Sequence, residues 1–432
     1  MRHFPGLTFR RLAADRRGVT AVIFAVSAVA MIGFVGMAAE GGTWYLEKRH
    51  GQNAADAAAI AGALALAAGQ DPGVSGNAAA TGSGESNVVI TTGTFSAGTF
   101  TANDTPADAV NAVVTTTRAP LFAAAFIGSQ PITISESAVA MVAASGPACV
   151  LAVSPAAGTG VVTFDATASV QATGCSVAAN GLTSGAITGA SASGVSARSL
   201  VSSGGCSGCT GMAPLTYQPQ TPDPFAQTIA AFALPANTQC NNSSSAPVAY
   251  ASTTPPTKNC AGLSVNANTL DLAPGTYVFY GASTFSVSNG VLKCSACTGS
   301  GTSGVTIIMT GPGANTIGEI DVEGNSLINL TAPAINQDFN QIFNGVLFYT
   351  DRNAAVGNSV KIIGNQNVTL GGVMYFPVSN VTFSGNNGGT PPTCNEIIGA
   401  YLDLTGASAF NTAGCAAMNA LVPMTQSVRL VM

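Results

Sequence analysis

This sequence predicts a mainly β protein carried on one long N-terminal α-helix, and three observations lead there. Residues 18–39 contain no charged side chain. Residues 54–68 (AADAAAIAGALALAA) are dominated by Ala, the strongest helix former. From about residue 146, short β-branched runs alternate with Gly, Asn and Ser at turn-like positions, and such segments repeating at a fixed interval of about 20 residues point to stacked β coils, a parallel β-helix. A β-sandwich, which also uses short strands and Gly-rich turns, is the alternative.

The helix begins with an address. Arg2, Arg10, Arg11, Arg16 and Arg17 face a single acid, Asp15, in the first 17 residues. The uncharged run that follows spans ~33 Å at ~1.5 Å per residue, enough to cross a hydrocarbon core of ~30 Å. Positive charge favours the cytoplasmic side, so residues 1–17 form a cytoplasmic tail and the chain after Glu40 lies across the membrane. A secretory signal has a shorter apolar core of about 7–15 residues. A retained single-pass anchor over 18–39 is therefore favoured over a cleaved leader, for which Met37-Ala38-Ala39 is a weak site. Trp44 and Tyr45 follow at the height where amphipathic rings favour the membrane interface.

Residues 40–70 form an Ala-rich stalk helix. Ala54, Ala58 and Gly62 recur every four residues and make a smooth face. That face suits either the protein's own core or a close helix from another molecule. Residues 71–145 read as a small α+β linking domain with strands near 88–92, 112–117 and 132–134, and residues 146–432 as the outer domain. There, Gly-Asn follows a β run at Asn325, Asn365 and Asn386. Asn365 and Asn386 stand one period apart, and Asn325 and Asn365 about two.

All ten cysteines lie at or beyond Cys149. An even number on the oxidising side of a membrane reads as disulfides. Cys149/Cys175, Cys240/Cys260 and Cys394/Cys415 make plausible local pairs. Cys206/Cys209 and Cys294/Cys297 have CxxC spacing, which leaves a split zinc site or free thiols as other readings.

The catalytic inventory is poor. His3 and His50 are the only histidines, so the outer domain has none and cannot build Ser-His-Asp or His-ligated metal chemistry. The carboxylates Glu319, Asp321 and Glu323 alternate along one strand face, a weak Ca²⁺ candidate against a simple solvated face. Asp351-Arg352 reads as a turn with a salt bridge rather than an acid–base pair. No metal, cofactor or catalytic residue is assigned. Net charge is −5 with no basic patch beyond the tail, which argues against nucleic acid.

Three stretches together resemble a known family: Arg16-Arg17-Gly18-Val19-Thr20-Ala21-Val22-Ile23-Phe24-Ala25, then Trp44-Tyr45-Leu46, then Gln52-Asn53-Ala54-Ala55-Asp56-Ala57-Ala58-Ala59. In order and spacing they resemble the N-terminal module of TadG-like proteins of the tight-adherence (Flp pilus) assembly systems. The resemblance implies a bitopic, non-enzymatic inner-membrane protein working with other pilus-assembly proteins, its bulk periplasmic or extracellular. Pilins of these systems carry an early Glu in the apolar helix, which this chain lacks. That departure points to an anchor rather than a processed subunit. Residues 345–352 and 372–377 resemble outer domains attached to some such modules, which implies a right-handed parallel β-helix. It also brings in surface glycans as a second kind of partner, with an adhesin as the alternative function and a polysaccharide-degrading enzyme as the least favoured.

Overall fold

The structure is a computed structural model that describes residues 18–124, 128–155, 160–190, 194–210, 212–229, 232–363, 368–385 and 393–431. It divides into two compact units. One runs up to Val142 and regains the chain from Val428; the other is Ala143–Ser427.

The first unit is built on helix α1 (Val19–Ala67), which runs unbroken from the apolar run into the stalk. Its first half is apolar and bare: Phe24 and Phe34 are about 70% exposed. This helix is long and apolar enough to cross a membrane. Its second half is buried on one face. Helix α2 (Pro72–Gly82) starts at Asp71, whose carboxylate accepts the Gly73 and Val74 N–H groups, with Pro72 at the first helical position. An antiparallel sheet follows in the order β2-β1-β3-β4: β1 (Val88–Ser96), β2 (Thr99–Ala102), β3 (Ala109–Arg118) and β4 (Ile132–Ala152).

Ala54, Ala55, Ala58, Ala59 and Ala63 pack against Ala80 of α2 and against Val110, Ala112, Val114, Ala138 and Ala140 of β3 and β4. A Cβ on Gly62 would come within 2.8 Å of Val110 Cγ1, and one on Gly76 within 3.1 Å of the Ala58 carbonyl. The small-residue face is thus consumed inside its own unit. The other use considered for it, a helix from another molecule, is corrected.

The second unit is a stack of parallel strands in three columns. In the first column a single file of inward residues runs Tyr277, Ile307, Phe348, Met374, Ile397, Val150, Val177, Leu200, each in register with the next. In the second the file is Val265, Val287, Val322, Ile362, Phe383, Leu404, Phe164. A third carries Leu270, Leu292, Ile328 and Val368. Among the described residues every registered pair between 148 and 411 is parallel, unlike the antiparallel pairing of a two-sheet sandwich. The inward residues form one continuous core, buried except for Leu270 at its edge, which is partly exposed.

The order of coils in the stack is not the order in the sequence. The coils at 148–207 stack beyond those at 257–411, because Ile397–Gly399 pairs with Val150–Ala152. The chain therefore enters the stack in its middle, builds one end, returns to the far end and winds back. The returning segment is a strap on the outer face of the first column: Phe225 and Ile229, with Phe232, Leu234 and Tyr250, cover Leu151, Val278, Ile308, Tyr349, Tyr375 and Ile398.

The repeat spacing also needs correcting. Val360 and Val381 are neighbours at one short period, as expected, and Leu402 follows at the same interval. Strand Ile320–Glu323, however, pairs directly with Asn358–Ile363, so that interval is one long coil and not two. The extra length is an aromatic insertion at 332–345 that carries Phe339 and Phe343. Asn365 and Asn386 lie outside the described residues.

Five disulfides consume all ten cysteines: Cys149–Cys175, Cys206–Cys209, Cys240–Cys260, Cys294–Cys297 and Cys394–Cys415. The two CxxC pairs each close on themselves rather than sharing an ion.

Candidate functional site

One face of α1 carries the polar and aromatic residues nearest the end of the apolar run: Glu40, Thr43, Trp44 and Glu47, spaced three to four apart. The end of β3 and the turn after it fold onto this face. Arg118 donates to Glu47 Oε1 through Nε (3.0 Å) and Nη2 (2.7 Å). Glu40 is only 7% exposed. Its Oε1 accepts the Leu121 N–H at 2.6 Å and its Oε2 accepts the Ala123 N–H at 2.7 Å. Burial pushes the Glu40 carboxyl up, but the backbone donors of Leu121, Ala123 and Phe122 together hold it below the usual carboxylate range. Four residues earlier, the Phe122 ring lies where a Cβ on Gly36 would sit, 2.6 Å away. A cleft of about 260 Å³ between Trp44, Arg118 and Leu121 completes this region.

The stalk motif is a structural joint. Gln52 Nε2 donates to Asp56 Oδ1 at 2.7 Å, one helical turn on, and to the Ser137 carbonyl of β4 at 3.3 Å. Asn53 faces solvent beside it. Gln52 and Asp56 therefore fix the helix to the sheet while the alanines fill the gap. Trp44 is half-buried. Tyr45 is exposed and carries Arg49 over its ring at 5.8 Å. Gly18 caps the start of α1 without a side chain. Arg16 and Arg17 lie outside the described residues.

The sequence of this segment is similar to a known family. Residues 18–70 fit the model of the putative Flp pilus-assembly TadE/G-like family. The match covers the apolar run, Trp44-Tyr45 and the Gln52-Asn53-Ala54-Ala55-Asp56 joint, the stretches that carried the resemblance. No curated protein and no solved structure matches the chain.

The second unit holds two polar arrangements. Arg352 does not pair with Asp351. Its Nη2 reaches Asp223 on the strap and the Tyr375 hydroxyl, and that hydroxyl donates to Asp223 Oδ2 at 2.8 Å. Asp351 instead accepts the Thr310 hydroxyl at 2.6 Å and the Asn353 N–H at 2.9 Å. Burial, then the Asp223 charge, raise the Tyr375 hydroxyl far above its ordinary value. Beside them Glu396 is fully buried, and neither carboxyl oxygen has a hydrogen-bond partner among the described residues. Burial and then the Asp223 charge push its pKa well up, which favours the neutral form. No sequence signal paired Asp223 with Arg352, since their partnership depends on the path of the strap.

The other arrangement is a cleft of about 310 Å³ with a mixed lining, Ser252, Thr276, Thr302, Asn336, Gln337 and Asp338 beside Ala249, Pro274, Pro333 and Ile335. It borders three consecutive non-Gly residues with left-handed backbone, Phe339, Asn340 and Gln341. Such geometry costs about 1–2 kcal/mol per residue and survives here through the packing of Phe339 on Tyr250, Phe232 and Phe343.

The acidic trio Glu319, Asp321 and Glu323 lies on the outward side of its strand. Asp321 stands in register with Lys361, a positive neighbour that opposes a cation there. Among the described residues no three acids, histidines or cysteines gather at ion-binding distance.

Proposed function

We propose that this chain is a membrane-anchored, non-enzymatic component of Flp pilus assembly or surface attachment. In this reading α1 crosses the inner membrane once with its N-terminus in the cytoplasm, and the disulfide-bonded β unit is displayed outside. The family match at residues 18–70 carries it, supported by an apolar helix continuous with the stalk and by cysteines that are all oxidised. The second unit is read as a right-handed parallel β-helix. Its in-register parallel columns support the coil, and the strong right-handed preference of parallel crossovers supports the hand.

Deleting the chain in its native cell and counting both pili and attached cells tests the reading. Loss of pili is the expected result; normal pili with normal attachment would sink it. Normal pili with lost attachment would favour an adhesin that binds surface glycans. The cleft beside the left-handed turn is the observation that favours this second reading, because strained backbone concentrates at ligand-binding positions.

A further inference from the structure

Two large apolar side chains in one turn of the first unit are more than half exposed. Leu121 is 79% exposed and Phe122 is 51% exposed. They sit in the turn after β3, and Phe122 touches α1 at Gly36. Gly36 lies three residues inside the end of the apolar run, which is ~4–5 Å below its boundary at ~1.5 Å per residue. Phe122 is therefore at a height where α1 itself is still in lipid, if α1 spans as proposed above.

We propose that residues 120–123 are a second membrane contact: a wedge whose Leu121 and Phe122 side chains enter the outer interface of the bilayer beside α1. Interfacial segments bury their apolar side about 5–10 Å into the headgroup and acyl boundary, which fits this height. The backbone makes the stronger argument. Irregular backbone at membrane depth must have its N–H groups satisfied within the protein. Here Glu40 supplies the acceptors, one carboxylate oxygen to Leu121 and the other to Ala123. The same bonds satisfy the first acid after the apolar run, which would otherwise face lipid unpaired. Glu40 and the wedge thus make each other tolerable at the boundary. Trp44, on the same helical face, adds an amphipathic ring at the next turn. Leu121 and Phe122 continue the lipid-facing surface of the helix, so lipid is their occupant.

The test uses the full chain in liposomes of phosphatidylethanolamine and phosphatidylglycerol. All ten native cysteines are in disulfides. Leu121→Cys, Ile32→Cys and Val89→Cys each therefore create a single labelling site for a fluorophore. Ile32 lies within the apolar run and Val89 is exposed on β1. Lipids spin-labelled just below the headgroup should quench the Leu121 probe at least about twofold more than the Val89 probe. Adding Glu40→Ala should lower the quenching at Leu121 and leave that at Ile32 unchanged. If Ile32 is quenched but Leu121 behaves like Val89, the wedge is overturned while the anchor stands. If Ile32 is not quenched, the spanning reading falls and the wedge with it. A Leu121→Cys chain that cross-links to a second copy and stays shielded from lipid would also overturn it.

Discussion

In the first unit the core between helix and sheet is built mostly from small residues. A Cβ on Gly76 of the neighbouring helix would meet the Ala58 carbonyl at 3.1 Å, and Gly62 leaves no room for a methyl group against Val110. In the second unit the core is a file of large ones, with Phe348 between Phe285 and Phe376. Burial of apolar surface drives both. The small-residue core gains from close backbone approach and tolerates no added volume. The large-residue core gains from side-chain area and tolerates no loss of it. Opposite substitutions should therefore break the two units.

Four substitutions sharpen that contrast, from the largest expected effect to the smallest. Phe348→Ala should cost about 3–5 kcal/mol of the second unit's stability, read by denaturant unfolding, because the files above and below cannot close the gap. Ala58→Leu should cost about 1–3 kcal/mol by overpacking and should lower only the transition of the first unit. An Ala58→Leu chain as stable as the parent would mean that the helix–sheet gap is looser than its contacts imply.

Glu396→Leu should act in the other direction. It removes a buried carboxyl without partners and should raise stability at pH 7 by about 1–3 kcal/mol. The sign follows from linkage. Glu396 has a raised pKa in the folded state, so the folded chain keeps a proton that the unfolded chain releases above the ordinary carboxylate range. Its contribution is whole below that range and is lost as pH rises toward the folded value. The gain from Glu396→Leu should then be larger at pH 7 than at pH 4 in paired thermal melts. Gln52→Ala should cost the least, about 0.5–1.5 kcal/mol, by removing two bonds at the stalk joint; urea titration of the full chain in detergent would measure it.

Much of the first unit was legible because its signals are local. The apolar run, the Trp44-Tyr45 pair and the Gln52–Asp56 joint all lie within one helix, where a spacing of three or four is also a distance in space. The five disulfides follow the same logic, since each closes between cysteines near in sequence. The short period between Val360 and Val381 showed for a similar reason. The long coil between Val322 and Ile362 did not, because an insertion changes the count without changing the stacking. Glu40 read only as the end of the apolar run; its role depends on a turn some eighty residues later. Nor does any spacing announce the strap, whose Asp223 finds Arg352 only once the coils are assembled.

The entry of the chain in mid-stack has a consequence for how the second unit is made. Val150 is held on one side by Val177, which follows it closely, and on the other by Ile397, about 250 residues later, a separation that slows folding. As the chain emerges from its N-terminus, the first coil to arrive waits with one edge open until nearly the last has been made. Residues Gly146 and Ala148 then close against Thr425 and Pro423, bringing both ends of the unit to one place. A chain interrupted anywhere before residue 411 would carry an unpaired strand edge, the feature most prone to aggregate. Completion of synthesis is thereby built into the fold as a condition for a soluble surface.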